Sequence, residues 1–360
     1  MQVTLTDCWT ASALGTGNAE TVANLAHRIA PGMREIEGDV PGRRLWFGAV
    51  SADLPEIAER PWNVRSNRLL RLAADRMPSL RELVARHGAD RVGVVIGAST
   101  TGMDEAQRLV DRWIDGGRVP PEFDFSMIEL GTPAIYLKRL LGAKGPGYTV
   151  STACSSATKA LGSARRLIAH GVCDAVVTGG VDARCRFAMN GFHALGALSA
   201  GRCRPLAADR DGINLGEGVA LFAMERDGDG VRLAGVGESS DAYHATAPDP
   251  EGRGAEAAMR AALADAHLGP EDIDYLNLHG TGTRANDDME MKAVERVFGP
   301  ADRRRTAVES TKSLTGHCLG AAGAVEAAIC WLQVRGGACS RAMSNSFAFG
   351  GSNASVILSA

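Results

Sequence analysis

One cysteine in the chain stands between a predicted strand and a predicted helix. Cys154 lies in the segment STACSS (151–156), after a strand expected at 147–151 and before a helix expected at 155–170. A thiol at a helix start faces free backbone N–H groups and the positive end of the helix dipole, which favour the thiolate. We therefore expect a lowered pKa for Cys154 and N–H groups directed at a developing oxyanion. A small packed cysteine is the alternative.

Two histidines stand in loops that also follow predicted strands. His279 begins HGTGT (279–283), and His317 ends STKSLTGH (310–317), which also contains Lys312. Structural turns are the alternative for both loops, and no lysine follows HGTGT at the spacing of a phosphate-binding loop. The spacing of these residues is not that of a zinc site, so we expect no metal. Nucleophilic catalysis at a thioester accounts for the same residues, with two imidazoles polarising or activating a second substrate.

The elements that position these residues alternate between strands and helices, which predicts an α/β fold. Glycine-bounded apolar residues at helical spacing predict further helices at 256–267, 287–298 and 320–334, and Asn286 is expected to cap the second of them. Two apolar runs, 219–224 and 231–236, flank DGDG (227–230) and predict a hairpin. We place the boundary between two halves of the chain at this turn, which gives residues 1–226 and 227–360.

Composition and charge exclude several classes of function. The net charge of −3 argues against a nucleic-acid partner, which requires a basic excess. No apolar run approaches the ~18 residues of a membrane span, and the first residues do not resemble a signal peptide, so we expect a cytoplasmic protein. The eight cysteines include no C-x-x-C pair and are expected to be reduced and mostly buried.

Four segments in this order resemble the β-ketoacyl-acyl-carrier-protein synthases of the thiolase superfamily. They are TACSS (152–156), HGTGT (279–283), Lys312 with His317, and NSFAFGG (345–351). The set Cys-His-His is similar to the elongating class, because thiolases carry a second cysteine and initiating synthases carry an asparagine. The resemblance implies a thiolase-like five-layer α-β-α-β-α sandwich of two pseudo-twofold-related halves. The N-terminal half would carry the nucleophile and the C-terminal half both histidines.

The resemblance also implies roles for individual residues. Cys154 would be acylated, and His279 and His317 would bind the malonyl thioester carbonyl and promote decarboxylation. The N–H groups of Cys154 and Phe349 would form the oxyanion hole. Lys312 and Glu326 match a charged pair that supports the histidines. Thr281 and Thr283 match two threonines that hold the phosphopantetheine arm. Phe192 matches an acyl-pocket residue, and Thr100 matches the pocket floor that is contributed across a dimer.

A finer resemblance concerns the pathway. CRP (203–205), DRDGINLGE (209–217), SDAYH (240–244) and APDPEGRG (247–254) are similar to synthases of aryl-polyene-type pathways. The resemblance implies an acyl carrier protein as partner, its phosphopantetheine arm as substrate carrier, no tightly bound cofactor, and a homodimer or a heterodimer with a related synthase or chain-length-factor subunit. Housekeeping fatty-acid elongation is the alternative activity. A non-catalytic partner subunit is the alternative class, against which the nucleophile argues.

The chain departs from the family pattern in three places. The segment between Trp331 and Asn345 is short, which we expect to alter the rim of the active site. Ala348 replaces a glycine of the mobile loop, and its methyl group restricts the backbone. Gly196 occupies a position where some relatives have an arginine that contacts the carrier. We therefore expect the acidic carrier to dock on Arg65, Arg68 and Arg71, for which a solvated helix face is the alternative.

Overall fold

The computed structural model describes residues 2–360 and contains fourteen strands in that range. They run from β1 to β14 in chain order: β1 (Val3–Ser12), β2 (Gly15–Thr16), β3 (Met33–Glu37), β4 (Arg44–Gly48), β5 (Val92–Gly97), β6 (Gly147–Val150), β7 (Ala175–Asp182), β8 (Leu215–Gly216), β9 (Gly218–Arg226), β10 (Val231–Ser240), β11 (Tyr275–Asn277), β12 (Ala307–Glu309), β13 (Arg341–Ala348) and β14 (Ser352–Ser359).

Eleven α-helices lie within the same described range. They are α1 (Asn18–Ala26), α2 (Arg65–Asp75), α3 (Ser79–His87), α4 (Met103–Gly116), α5 (Thr132–Leu141), α6 (Ser156–Ala169), α7 (Arg186–Ala194), α8 (Arg253–Ala266), α9 (Arg284–Phe298), α10 (Lys312–Thr315) and α11 (Ala322–Arg335). Short 3₁₀ turns include Leu319–Ala321, directly before α11, and Phe349–Gly351, between β13 and β14. None of the described helices is long and apolar enough to cross a membrane.

Two five-stranded groups share one topology. The first has the order β6-β5-β7-β9-β1 and the second has the order β12-β11-β13-β14-β10. In each group the three strands at one end are parallel and the other two are antiparallel additions. Numbered within its own group, each order is therefore 3-2-4-5-1. This repeat, which the sequence did not reveal, confirms the predicted pseudo-twofold architecture.

Three apolar cores separate five layers. The first core lies between α2, α3 and α5 and one face of the first sheet group. The second surrounds α6 and α11 between the two groups, and the third lies between the second group and α8 and α9. Small residues let the central helices approach closely, since a Cβ at Gly323 of α11 would stand 2.0 Å from Thr158 Oγ1 of α6. The fold is the predicted thiolase-like sandwich.

Two local predictions are wrong. Strands β9 and β10 exist, but they do not form a hairpin, because β1 lies between them and pairs with both. The pairing of Thr4 with Arg232 and of Leu5 with Val231 is also what joins the two sheet groups. Helix α9 begins earlier than predicted, and Thr283, whose side chain accepts from the N–H of Asn286, is its cap.

The repeat brings the chemistry-bearing loops to one end of the molecule. Cys154 follows β6, and Lys312 and His317 follow β12, which is the equivalent strand of the other group. Thr100 follows β5, and His279 follows the equivalent strand β11. The carboxyl ends of neighbouring parallel strands lie at one sheet edge, so the loops within each group lie together. The two groups face each other across α6 and α11, and His317 of one meets Cys154 of the other.

Candidate active site

Cys154, the expected nucleophile, lies on a sharp turn between β6 and α6. Ala153 has a left-handed φ of 52°, which is uncommon for a residue with a side chain and strains the turn. The N–H of Thr152 donates to Ser156 Oγ, and that hydroxyl donates to the carbonyl of Ala153. These bonds hold the turn closed, with Cys154 buried directly before the first turn of α6.

The expected lowering of the Cys154 pKa is wrong. Burial raises the pKa of this thiol to about 12, because removal from water disfavours the thiolate. Lys312 and the backbone N–H groups of Phe349 and of Cys154 act in the opposite direction without reversing the shift. The sequence showed the helix start but not the degree of burial. Cys154 is therefore a thiol at rest, and attack on a thioester would require a base that takes its proton.

An imidazole that could act as this base is in contact with the thiol. His317 Nε2 lies 2.9 Å from Cys154 Sγ, and the rings of His317 and His279 are 5.3 Å apart and nearly perpendicular. One ligand atom from each of Cys154, His279 and His317 lies within 4.8 Å of the others. The structure thus brings together the three residues that the sequence singled out.

Lys312 connects His279 to a buried carboxylate. Its Nζ lies 2.5 Å from both the carbonyl oxygen of His279 and Oε1 of Glu326, and 3.4 Å from His279 Nδ1. Since an ammonium group only donates, Nδ1 of His279 is an acceptor and its proton resides on Nε2. The predicted pair of Lys312 and Glu326 is present and fixes the tautomer of His279.

Glu290 is a residue of this site that the sequence analysis missed. Its carboxylate accepts from the backbone N–H groups of His279 at 2.8 Å and Gly280 at 2.7 Å. Burial raises the pKa of Glu290 to about 7. The available signal was a charged residue on the buried face of α9, beside Met289 and Ala293. Glu290 holds the histidine loop in place.

Both imidazoles are neutral. Burial and the nearby Lys312 lower the pKa of His279 and of His317 well below their ordinary value. Nδ1 of His317 has no hydrogen-bond partner among residues 2–360, so neither tautomer of this ring is fixed. His317 can therefore accept a proton at Nε2 in one step and donate from Nε2 in another.

Two cavities meet at Cys154. One, of about 200 Å³, contains His279, His317, Thr281 and Thr283 in its wall. The other, of about 230 Å³, is lined by residues that include Thr100, Cys185 and Leu319. Cys154, Phe192 and Phe349 border both, and the two phenyl rings stack with centroids 5.5 Å apart. The aromatic pair therefore lies between the two cavities, which we call the histidine cavity and the Thr100 cavity.

The remaining predicted residues occupy these walls. Thr281 and Thr283 lie within hydrogen-bond distance of each other, 2.9 Å between their hydroxyl oxygens, in the wall of the histidine cavity. Thr100 lines the Thr100 cavity, and its contribution to a pocket floor across a dimer stays a prediction. Its hydroxyl donates to Asp182 at 2.8 Å, so its polar group is already satisfied.

The expected carrier-docking arginines are engaged within the chain. Arg65 donates twice to the buried carboxylate of Glu217, at 2.7 and 2.5 Å. Arg71 pairs with Asp75, and Arg68 donates to two backbone carbonyls. Each of the three side chains is also partly exposed, at 33%, 27% and 37% for Arg65, Arg68 and Arg71, and the docking role stays a prediction.

The short segment after Trp331 does not lie at the rim of the active site, where it was expected. It connects the end of α11 at Arg335 to β13 at Arg341. The fourteen residues of α11 separate it from the His317 loop by about 21 Å, at ~1.5 Å per residue. The shortening therefore changes the opposite end of the central layer.

Ala348→Gly is expected to change acylation and condensation rates by only a few-fold, below the ~1.4 kcal/mol that corresponds to tenfold. Ala348 has extended backbone angles, φ −111° and ψ 159°, which any residue adopts. Gly350 and Gly351, with φ of 78° and 72°, already provide the left-handed turn. Single-turnover acylation and condensation rates measure the effect, and a hundredfold rise in either would show that Ala348 restrains the loop.

The cysteine and the two histidines also have a spacing that could accommodate a metal ion. However, the ammonium group of Lys312 lies 3.4 Å from Nδ1 of His279, and a divalent cation so close would be repelled. The expectation that no metal binds remains a prediction, which metal analysis of the purified protein would check.

Comparison with known proteins agrees with this geometry. The model of the β-ketoacyl synthase N-terminal domain matches residues 72–229, and that of the C-terminal domain matches residues 231–344. A 3-oxoacyl-[acyl-carrier-protein] synthase 2 of Staphylococcus aureus is 39% identical over 264 residues, which are 69% of this chain and 65% of that relative. The enzyme of the same name from Coxiella burnetii is 35% identical, over 75% of this chain and 76% of its own length.

A solved structure is similar over nearly the whole chain. The ketosynthase ApeO, in complex with its chain length factor ApeC from Xenorhabdus doucetiae, is 40% identical with a TM-score of 0.94, covering 99% of this chain and 98% of that one. Fold and site together define a thiolase-like synthase with a Cys-His-His site. The chain belongs to the β-ketoacyl synthase family, which confirms the predicted resemblance.

Proposed function

We propose that the chain catalyses decarboxylative Claisen condensation between an acyl group on Cys154 and malonyl-acyl carrier protein, giving β-ketoacyl-acyl carrier protein. The observation that carries the proposal is the contact of Cys154 Sγ with His317 Nε2 at the junction of two cavities. One cavity admits the pantetheine arm beside Thr281 and Thr283, and the other receives the acyl chain.

The first step is acyl transfer to the thiol. Sγ of Cys154 attacks the acyl thioester, His317 Nε2 takes the thiol proton, and the pantetheine sulfur leaves with that proton. The N–H groups of Cys154 and Phe349 face this sulfur and would stabilise the oxyanion of the tetrahedral intermediate. Because the thiol pKa is raised, deprotonation accompanies attack and no thiolate accumulates beforehand.

The second step forms the new carbon–carbon bond. Loss of CO₂ from the malonyl group leaves its electron pair in an enolate, whose oxygen accepts hydrogen bonds from Nε2–H of His279 and of His317. The enolate carbon attacks the acyl carbonyl, and the Cys154 sulfur leaves as a thiolate that takes the Nε2 proton of His317, which solvent then replaces. Lys312 and Glu326 support this step by keeping the proton of His279 on Nε2.

The proposed pathway is of the aryl-polyene type. The four sequence segments named above support it, as does the 40% identity to ApeO. Fatty-acid elongation is the second candidate, favoured by the 39% identity to the S. aureus synthase. The proposed partners are an acyl carrier protein and a second synthase-like subunit, because ApeO is seen with a chain length factor; a homodimer is the alternative.

The proposed cellular setting and division of the chain follow from the same features. We place the protein in the cytoplasm, with no tightly bound cofactor beyond the carrier's phosphopantetheine arm. All eight cysteines are free and seven are buried, as expected in a reducing compartment. We assign residues 1–226 to the half that carries the nucleophile and 227–360 to the half that carries both histidines, which the repeated strand order supports.

Competition between acyl carriers tests the proposed pathway. With the purified protein, its partner subunit and malonyl-carrier, a conjugated polyenoyl-carrier should be extended at least about tenfold faster than a saturated acyl-carrier of equal length, a difference of ~1.4 kcal/mol. The mass of the carrier-bound product measures both reactions. A preference for the saturated chain would favour fatty-acid elongation, and no condensation with either chain would contradict the proposed activity.

A further inference from the structure

Asp182 is a buried carboxylate at the end of β7, close to the Thr100 cavity, with no part in the chemistry described so far. It accepts from the N–H groups of Gly320 at 2.6 Å, Thr100 at 2.7 Å and Ser99 at 2.9 Å. The hydroxyls of Ser99 and Thr100 also donate to it, at 2.6 and 2.8 Å. One side chain is therefore the acceptor for five donors.

The character of these partners requires a charged carboxylate. In the described part of the chain Asp182 forms no ion pair, and burial raises its pKa while the hydrogen bonds oppose the rise. All five contacts come from donors, and only a carboxylate accepts with both of its oxygens. An amide would direct an NH₂ group at one set of these donors. Burying an unpaired charge costs free energy, so its presence needs a reason beyond filling space.

Gly320 connects this carboxylate to the base. It lies three residues after His317, beyond Leu319, whose left-handed φ of 49° is strained and turns the chain towards Asp182. A Cβ at Gly320 would lie 2.8 Å from Asp182 Oδ2 and 2.9 Å from the carbonyl carbon of Ala98. Only glycine permits this approach without displacing a neighbour.

The carboxylate also joins the two halves of the proposed enzyme. Ser99 and Thr100 come from the loop after β5, whereas Gly320 comes from the loop that carries His317. Ser99, Thr100 and Leu319 all line the Thr100 cavity, which borders Cys154. The backbone of His317 is bonded to Asn214 and Gly216, and the bond from Gly320 to Asp182 holds the following turn of the same loop.

We propose that Asp182 is a positioning residue, which holds the His317 loop through Gly320 so that Nε2 stays within hydrogen-bond distance of Cys154 Sγ. The consequence of this positioning for catalysis rests on the proposed function, whereas the positioning of His317 does not depend on it. The thiol faces His317, His279, Lys312 and, farther away, Glu326, and of these His317 contacts Sγ. Reactivity of the thiol therefore reports on the position of His317.

Alkylation of Cys154 by iodoacetamide tests the proposal without any acyl substrate. In Asp182→Asn the rate at neutral pH should fall about tenfold or more, since a shift of ~1 Å suffices for such a loss. The pH dependence should move upwards, towards that of His317→Ala. Mass analysis of the tryptic peptide 145–159, in which Cys154 is the single cysteine, measures the rate.

A second variant and a control complete the experiment. Gly320→Ala breaks the same link while leaving Asp182 charged, and it should shift the pH profile of alkylation in the same direction. If Asp182→Asn does not fold, the Gly320→Ala result alone supports or contradicts the proposal. Glu225→Gln changes a buried carboxylate opposite Ala175, about 23 Å along β7 from Asp182 at ~3.3 Å per residue, and should leave alkylation unchanged.

A merely structural role for Asp182 would lower thermal stability without moving the pH profile. A folded Asp182→Asn variant that is alkylated within twofold of the unchanged protein, with the same pH profile, would overturn the proposal. Failure of the proposed function has a different signature, because acyl-carriers would then not react with the unchanged protein whatever the alkylation results.

Discussion

Replacing Cys154 with alanine is expected to reduce condensation by roughly 10⁴-fold or more, because no other group can carry the acyl chain. The fold should persist, since the removed sulfur lies at a cavity junction and contributes little packing. Condensation is measured from the carrier-bound product and CO₂ release, and folding from the thermal unfolding curve.

A matched cysteine separates loss of the nucleophile from loss of a buried thiol. Cys173→Ala removes a fully buried sulfur beside Gly93, at the end of β5 remote from the active site, and should leave condensation unchanged. Condensation by Cys154→Ala at a rate near that of the unchanged protein would refute the assignment of the nucleophile.

The two histidines are expected to fail at different steps. His317→Ala should slow acylation of Cys154 by ~10²-fold or more, the usual contribution of a general base. The reason is the raised pKa of the thiol, which leaves it protonated at neutral pH, together with the 2.9 Å contact to Nε2. His279 does not contact Sγ, so His279→Ala should keep acylation within a few-fold and lose malonyl decarboxylation by ~10²-fold or more.

Single-turnover acylation, followed by intact mass, and release of CO₂ from malonyl-carrier measure the two steps separately. His170→Ala, at the exposed end of α6, is the control and should affect neither step. Normal acylation by His317→Ala would mean that the helix start and backbone donors generate the thiolate on their own. Equal loss of acylation in both histidine variants would contradict the division of roles.

The loops that carry chemistry were predictable because each signal is local. A nucleophile between strand and helix, glycine-rich loops after strands, and a lysine five residues before a histidine are all visible in a few consecutive letters. The family resemblance then gave the order of layers. A local pattern does not show which strands become neighbours in the sheet. The sequence therefore predicts a hairpin of β9 and β10, whereas in the structure β1 lies between them.

The errors at the site have the same physical origin. The pKa of Cys154 depends on burial by both halves of the chain, and this outweighs the helix start that the sequence displays. The pairing of Arg65 with Glu217 could not be foreseen, because 152 residues separate the two in sequence. Glu290 and Asp182 escaped notice because their roles lie in accepting backbone N–H groups from other loops, 11 and 138 residues away.

The most direct test of the account is the mass of the peptide 145–159 after incubation with an acyl-carrier in the absence of malonyl-carrier. The account predicts a gain of one acyl group on this peptide, removable by hydroxylamine because it is a thioester. Addition of malonyl-carrier should then discharge it with release of one CO₂ per acyl group. An unmodified peptide, or an acyl group found on another cysteine while condensation proceeds, would contradict the account.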